Sequence, residues 1–131
     1  MGLIYVDTCV LVYATEDGSP RGDRARAALF ANSDRLATTE LVLMECRVKP
    51  LSDGDFALAD RYAQTLESFE WLPIGSRVFR RATELRARFG LKTPDALHLA
   101  AAQTNGCDSF WTDDDRLRSA AGTLALEVDH Y

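Results

Sequence analysis

Thr93-Pro94-Asp95-Ala96-Leu97-His98-Leu99-Ala100-Ala101-Ala102, followed by Ser109-Phe110-Trp111-Thr112-Asp113-Asp114-Asp115, decides how this chain is read. Threonine before proline is a helix start. The hydroxyl can cap unpaired amides, and proline at the first helical position lacks only a hydrogen that would be unpaired anyway. The helix so opened runs to Gly106, where glycine stops it. Asp95 then falls at the second helical position, beside unpaired amides and the positive end of the helix dipole, which favours an ionised carboxylate. Ser109–Trp111 reads as a strand, with Thr112 and three aspartates directly beyond it.

Outward from this segment the chain alternates. Leu3–Val6 is a short apolar run suited to a buried parallel strand and ends in Asp7. Residues 8–15 form a short helix and Asp23–Ala31 another, after the breakers Gly18, Pro20 and Gly22. Arg35–Ala37 is a second strand. Thr38 or Thr39 caps a helix to about Val48 that carries Glu45 and stops at Pro50. Ser52-Asp53-Gly54-Asp55 opens a helix to about Ser68, and Phe69–Ile74 is a strand whose Pro73 marks its end or an edge position. Ser76 caps a helix with Phe79, Ala82, Leu85 and Phe89 toward the core, stopped by Gly90, and Leu124–Val128 is the last strand. Strands alternating with helices imply a parallel sheet covered on both faces, an α/β/α sandwich, here as one domain over residues 1–131. Ligands of such sheets sit beyond the carboxyl ends of the strands, where Asp7 and the aspartate run both fall.

Asp7, Glu45, Asp95 and Asp113-Asp114-Asp115 each have apolar sequence beside them. Carboxylates this close to a core cost folding energy unless a cation compensates them, and a hard divalent metal with oxygen ligands suits that role. The net charge of −5 is no bar to a polyanionic partner, because setting aside Asp7, Glu45, Asp95 and Asp114 leaves 16 acidic against 15 basic residues. Cys9, Cys46 and Cys107 are odd in number and lack C-x-x-C spacing, which argues for reduced, half-buried thiols rather than disulfides or a zinc site. No run approaches a membrane span, and the N-terminus lacks the features of a signal peptide, so a cytoplasmic location is expected.

Asp7-Thr8-Cys9-Val10-Leu11-Val12-Tyr13, Glu45 within Leu43–Val48, the Thr93–Ala102 segment and Phe110–Leu117 resemble the four acidic motifs of PIN-domain ribonucleases, above all VapC-type toxins of toxin–antitoxin pairs. The resemblance spans residues 3 to about 128. It implies an acidic pocket holding Mg²⁺, or Mn²⁺ as the alternative, endonucleolytic hydrolysis of RNA, inhibition by a small antitoxin, and a homodimer. Carried over by position, Asp7, Glu45, Asp95 and Asp114 are the catalytic and metal-binding acids. Asp113 or Asp115 can replace Asp114, and the number of ions is open. Thr8 and Thr112 match hydroxyl positions that orient carboxylates, whereas Cys9 stands where the family has Asn or Ser.

Other residues are read more plainly. His98, three residues beyond Asp95, is expected to be structural and hydrogen-bonded. Arg47 and Lys92 are candidate phosphate contacts, with Lys49 and the stripe Arg77, Arg80, Arg81 and Arg88 as further cations. Tyr13 and Trp111 are expected to pack in the core rather than stack on a base. Two other readings remain: an inactive PIN-like module that binds RNA or protein, and a phosphoacceptor receiver domain. The latter wants paired acids after the first strand and a lysine in a late loop, which this chain lacks.

Overall fold

Ile4-Tyr5-Val6, wholly buried, forms the central strand β1 of a five-stranded parallel sheet in a computed structural model that describes residues 2–123 and 127–129. The other strands are β2 (Leu36–Thr38), β3 (Glu70–Trp71), β4 (Ser109–Trp111) and β5 (Glu127–Asp129), in the order β3-β2-β1-β4-β5. Ile4 pairs with Leu36 on one side and with Ser109 on the other. The direction of winding therefore reverses between β1 and β4, and the switch point lies at their carboxyl ends. This order also removes the receiver-domain reading, whose flavodoxin-like sheet places the third strand beside the first.

Among the described residues, seven helices make the crossovers: α1 (Thr8–Glu16), α2 (Pro20–Ala31), α3 (Glu40–Ser52), α4 (Phe56–Leu66), α5 (Ser76–Phe89), α6 (Thr93–Thr104) and α7 (Asp115–Thr123). Helix α1 packs on α2 and α3, and α3 on α4; α5 packs on α6, and α6 touches α7. Right-handed crossovers put these two groups on opposite faces of the sheet, giving the expected three layers. Two small-residue devices allow close approach. A β-carbon on Gly22 would stand 1.7 Å from the Asp17 carbonyl oxygen, so only glycine lets α2 fold back onto the end of α1. Ala100, Ala101 and Ala102 are fully buried in α6.

Several boundaries differ from the sequence expectation for local reasons. The Ala96 amide bonds to the Lys92 carbonyl at 2.9 Å, which makes Lys92 the N-cap and moves Pro94 and Asp95 one position further into α6. Gly75 likewise precedes α5 in place of Ser76, and Asp55, accepting from the Leu58 amide at 3.1 Å, caps α4 in place of Ser52. Pro50 does not end α3. The missing amide falls in the last turn, the ring is buried, and the Asp53 amide bonds to the Lys49 carbonyl beyond it. Val78 rather than Phe79 enters the core, leaving Phe79 exposed, whereas Gly90 ends α5 with φ 68° as expected. The expected strand Phe69–Ile74 shrinks to the two exposed residues of the edge strand β3. Residues 124–126 of the expected last strand lie outside the described residues. All three cysteines are free, with Cys46 and Cys107 buried and Cys9 partly so.

Candidate functional site

Beyond the carboxyl ends of β1 and β4 lies an open cleft of about 440 Å³ lined by Asp7, Thr8, Cys9, Tyr13, Glu45, Asp95, His98, Asp113 and Asp114. Asp7 leaves β1 with extended backbone and caps α1, its Oδ1 accepting from the Thr8 amide at 2.8 Å. Its other oxygen accepts from the Thr112 hydroxyl at 2.7 Å, and its own amide bonds to the Trp111 carbonyl. The two strand ends are thereby sewn together at the carboxylate. Asp114 accepts from the Arg116 amide at 2.8 Å and so opens α7, while its amide donates to the Thr112 hydroxyl.

Glu45 comes in from the second turn of α3. Its Oε1 accepts from the Thr8 hydroxyl at 2.6 Å and lies 2.6 Å from His98 Nε2. Burial pushes this carboxyl up, but the hydrogen bond and charge of His98, with the Thr8 hydrogen bond, leave it below its ordinary value. Asp95 behaves oppositely. Burial, then the neighbouring charges of Asp114 and Asp7, hold its carboxyl above the usual aspartate value.

The donor set suits a hard cation, since Asp7, Glu45, Asp95, Asp113 and Asp114 offer only oxygen. Among the described residues, no three His, Cys, Asp or Glu side chains converge as a ready-made cage. Asp95 supplies a test of the crowding itself. A raised folded-state pKa adds stability below the unfolded value, and that stability is lost as pH rises from about 3.8 through the folded pKa. In EDTA near neutral pH, Asp95→Asn should therefore melt above wild type, and the gap should close as pH falls toward 4. Equal melting curves at both pH values would refute electrostatic crowding.

The remaining candidates separate. Asp115 is exposed, pairs with Arg118 at 3.2 Å and does not line the cleft. Asp113 does, and is braced by the Tyr13 hydroxyl at 3.2 Å and Arg118 at 3.7 Å. Cys9 Sγ faces Asp7 Oδ2 at 3.7 Å, and burial and that charge push its thiol up to about 12. Arg47 does not reach the cleft lining; it spans α3 to α4, 4.0 Å from Asp60. Lys92 is exposed before α6 and also lies outside the lining. Lys49 pairs with Asp53, and Arg81 binds Gln103 and Glu84. Trp111 is buried as expected, whereas Tyr13 stands at the cleft with the Arg21 guanidinium 3.8 Å over its ring. His98 is buried and hydrogen-bonded as expected, but the sequence reading missed its contact with Glu45 and the bracing of the aspartate run by Arg118. The i, i+3 spacing of Asp95 and His98 was the available signal for the first of these.

A family model described as PIN domain matches residues 4–123. Ribonuclease VapC46 from Mycobacterium tuberculosis is 35% identical over 131 residues, covering 98% of this chain and 97% of that protein. A toxin–antitoxin complex from Klebsiella pneumoniae contains a chain of similar structure, with TM-score 0.75, 25% identity, and coverage of 97% of this chain and 96% of that one. The FitAcB structure from Neisseria gonorrhoeae shares the fold, with TM-score 0.79 at 20% identity over 98% of this chain and 97% of the other.

Proposed function

The chain belongs to the PIN-domain family, and from that premise we propose that it is a divalent-metal-dependent endoribonuclease, the toxin of a toxin–antitoxin pair. The observation that supports this best is the gathering of Asp7, Glu45, Asp95 and Asp114 from four separate segments into one cleft at the sheet's switch point. Relatives named as a ribonuclease and as a toxin–antitoxin assembly give the same direction. The partners are then RNA as substrate, a small antitoxin, and a second copy of the chain. No described helix is long and apolar enough to cross a membrane, and we place the protein in the cytoplasm.

In this reading Asp7, Glu45, Asp95 and Asp114 hold Mg²⁺, or Mn²⁺ in its place, with Asp113 as an accessory acid. Bound there, the ion supplies Lewis-acid activation of water and neutralises charge developing at the scissile phosphate. The protein's part is positional. Thr112 turns Asp7, Thr8 and His98 turn Glu45, and the Arg116 amide turns Asp114, each by a hydrogen bond to a carboxylate oxygen. The cleft's own charge would repel an RNA backbone, so substrate enters productively only with the cation present. One domain carries the whole reaction.

Incubating the purified protein with structured RNA should give internal cuts in Mg²⁺ or Mn²⁺ and none in EDTA. Cleavage indifferent to EDTA would refute the metal mechanism. No cleavage by the folded protein in either metal would instead favour the inactive binding module. Expressed alone, the chain should arrest growth, and co-expression of its antitoxin should relieve the arrest.

A further inference from the structure

Tyr5 and His98 are fully buried polar side chains that bear on the site without lining it together. Tyr5 sits in β1 two residues before Asp7, which continues the strand's extended backbone before capping α1. Its ring stacks on that of Phe110, its partner in the sheet register, with centroids 5.3 Å apart and planes 3° apart. This fixes the hydroxyl 2.7 Å from His98 Nδ1 and 3.0 Å from the Thr39 hydroxyl. Thr39 caps α3, the helix that carries Glu45, and His98 Nε2 meets Glu45 Oε1. Tyr5, Thr39, α3, Glu45 and His98 thus close a loop, pinned to the sheet at Tyr5.

We infer that His98, anchored by Tyr5, is a positioning residue that aims the Glu45 carboxylate at the cation. An ionised carboxylate only accepts, so Nε2 donates whatever the state of the ring. Nδ1 can then donate to or accept from the Tyr5 hydroxyl, which does either. Oε1 of Glu45 is occupied by two donors, Thr8 and His98, whereas no described side chain or amide donates to Oε2. The carboxylate is therefore held by one oxygen, and the other is left to the cleft. An ordinary core histidine would need no donor aimed at a cleft carboxylate, and no phenol fixed in the sheet to orient it. Partners that orient metal-binding carboxylates typically change metal affinity or activity about 10–100-fold when removed.

The inference rests on the nuclease reading, and Mn²⁺ binding measured by calorimetry on RNA-free protein tests the two separately. Glutamine places its amide nitrogen near the position of Nε2, asparagine near that of Nδ1. His98→Asn should weaken Mn²⁺ binding about tenfold or more, and His98→Gln should restore most of it even if both melt lower than wild type. Tyr5→Phe keeps the ring and its stacking, and should weaken binding in the same direction by less. With RNA, the losses should appear in kcat at saturating metal rather than in KM. Mn²⁺ affinity equal to wild type in both His98→Asn and Tyr5→Phe would overturn the positioning role. So would losses in the Asn and Gln variants that simply follow their melting temperatures. If His98→Asn does not fold, Tyr5→Phe decides alone. Wild-type protein that binds no Mn²⁺ would overturn the metal-dependent nuclease reading and this inference with it.

Discussion

Asparagine in place of Asp95 or Asp7 should lower single-turnover RNA cleavage by about 10²–10³-fold, the scale on which removal of one preorganised electrostatic group acts, with circular dichroism unchanged. The isosteric amide makes this a test of charge. At position 7 the asparagine oxygen can still cap α1 through the Thr8 amide. Its nitrogen would face the Thr112 hydroxyl, which has a lone pair to accept with. Glu45→Gln and Asp114→Asn should fall in the same class. Asp115→Asn should cost little, since its carboxylate points to solvent and Arg118, and Asp113→Asn should lie between. Full activity in Asp95→Asn would refute the assignment of that acid. Equal losses at 113, 114 and 115 would mean that the run acts as a diffuse charge.

The largest stability effect is expected at Phe110. It is fully buried at the middle of β4 and stacks on Tyr5 across the register. Phe110→Ala should cost about 3–5 kcal/mol from lost burial and the cavity left behind. That is a large share of the roughly 5–15 kcal/mol that holds a domain together. Urea unfolding should show the midpoint falling with little change in slope. Unlike Asp95→Asn, this variant should lose activity together with stability, because the Tyr5 ring that holds His98 loses its support. A change below about 1 kcal/mol would mean that the β1–β4 contact is not the centre of the core.

The first four strands, the order of α1 to α6 and the location of the cleft were legible because each depends on local pattern: short apolar runs, breakers, and acids just beyond strand ends, whereas α7 follows the aspartate run without such a signal. Helix starts slipped by one residue at Thr93 and Ser76. There the first carbonyl to accept a helical bond, not the side chain best suited to capping, sets the boundary. Phe79 misled because hydrophobicity alone does not say which of two adjacent apolar residues turns inward. Arg47 and Lys92 fall outside the cleft lining because proximity in sequence to Glu45 and Asp95 says nothing of direction. The role proposed for His98 was the least legible. It joins β1, α3 and α6, and no local pattern announces that three such elements meet at one imidazole.

The pairing of Ile4 with Ser109 carries a consequence for synthesis. A chain made only as far as β3 has Asp7 and Glu45, but neither Asp95 nor Asp114. Its first strand still has an open edge where β4 belongs. Parallel pairing across such a separation is slow to form, because the ends of a long loop must first be brought together. The cleft can therefore close only once β4 and the aspartates beyond it have been made. For a protein proposed to cut RNA, the order of its strands means that a chain lacking β4 lacks both the completed sheet and the acid beyond it, and so has no cleft to cut with.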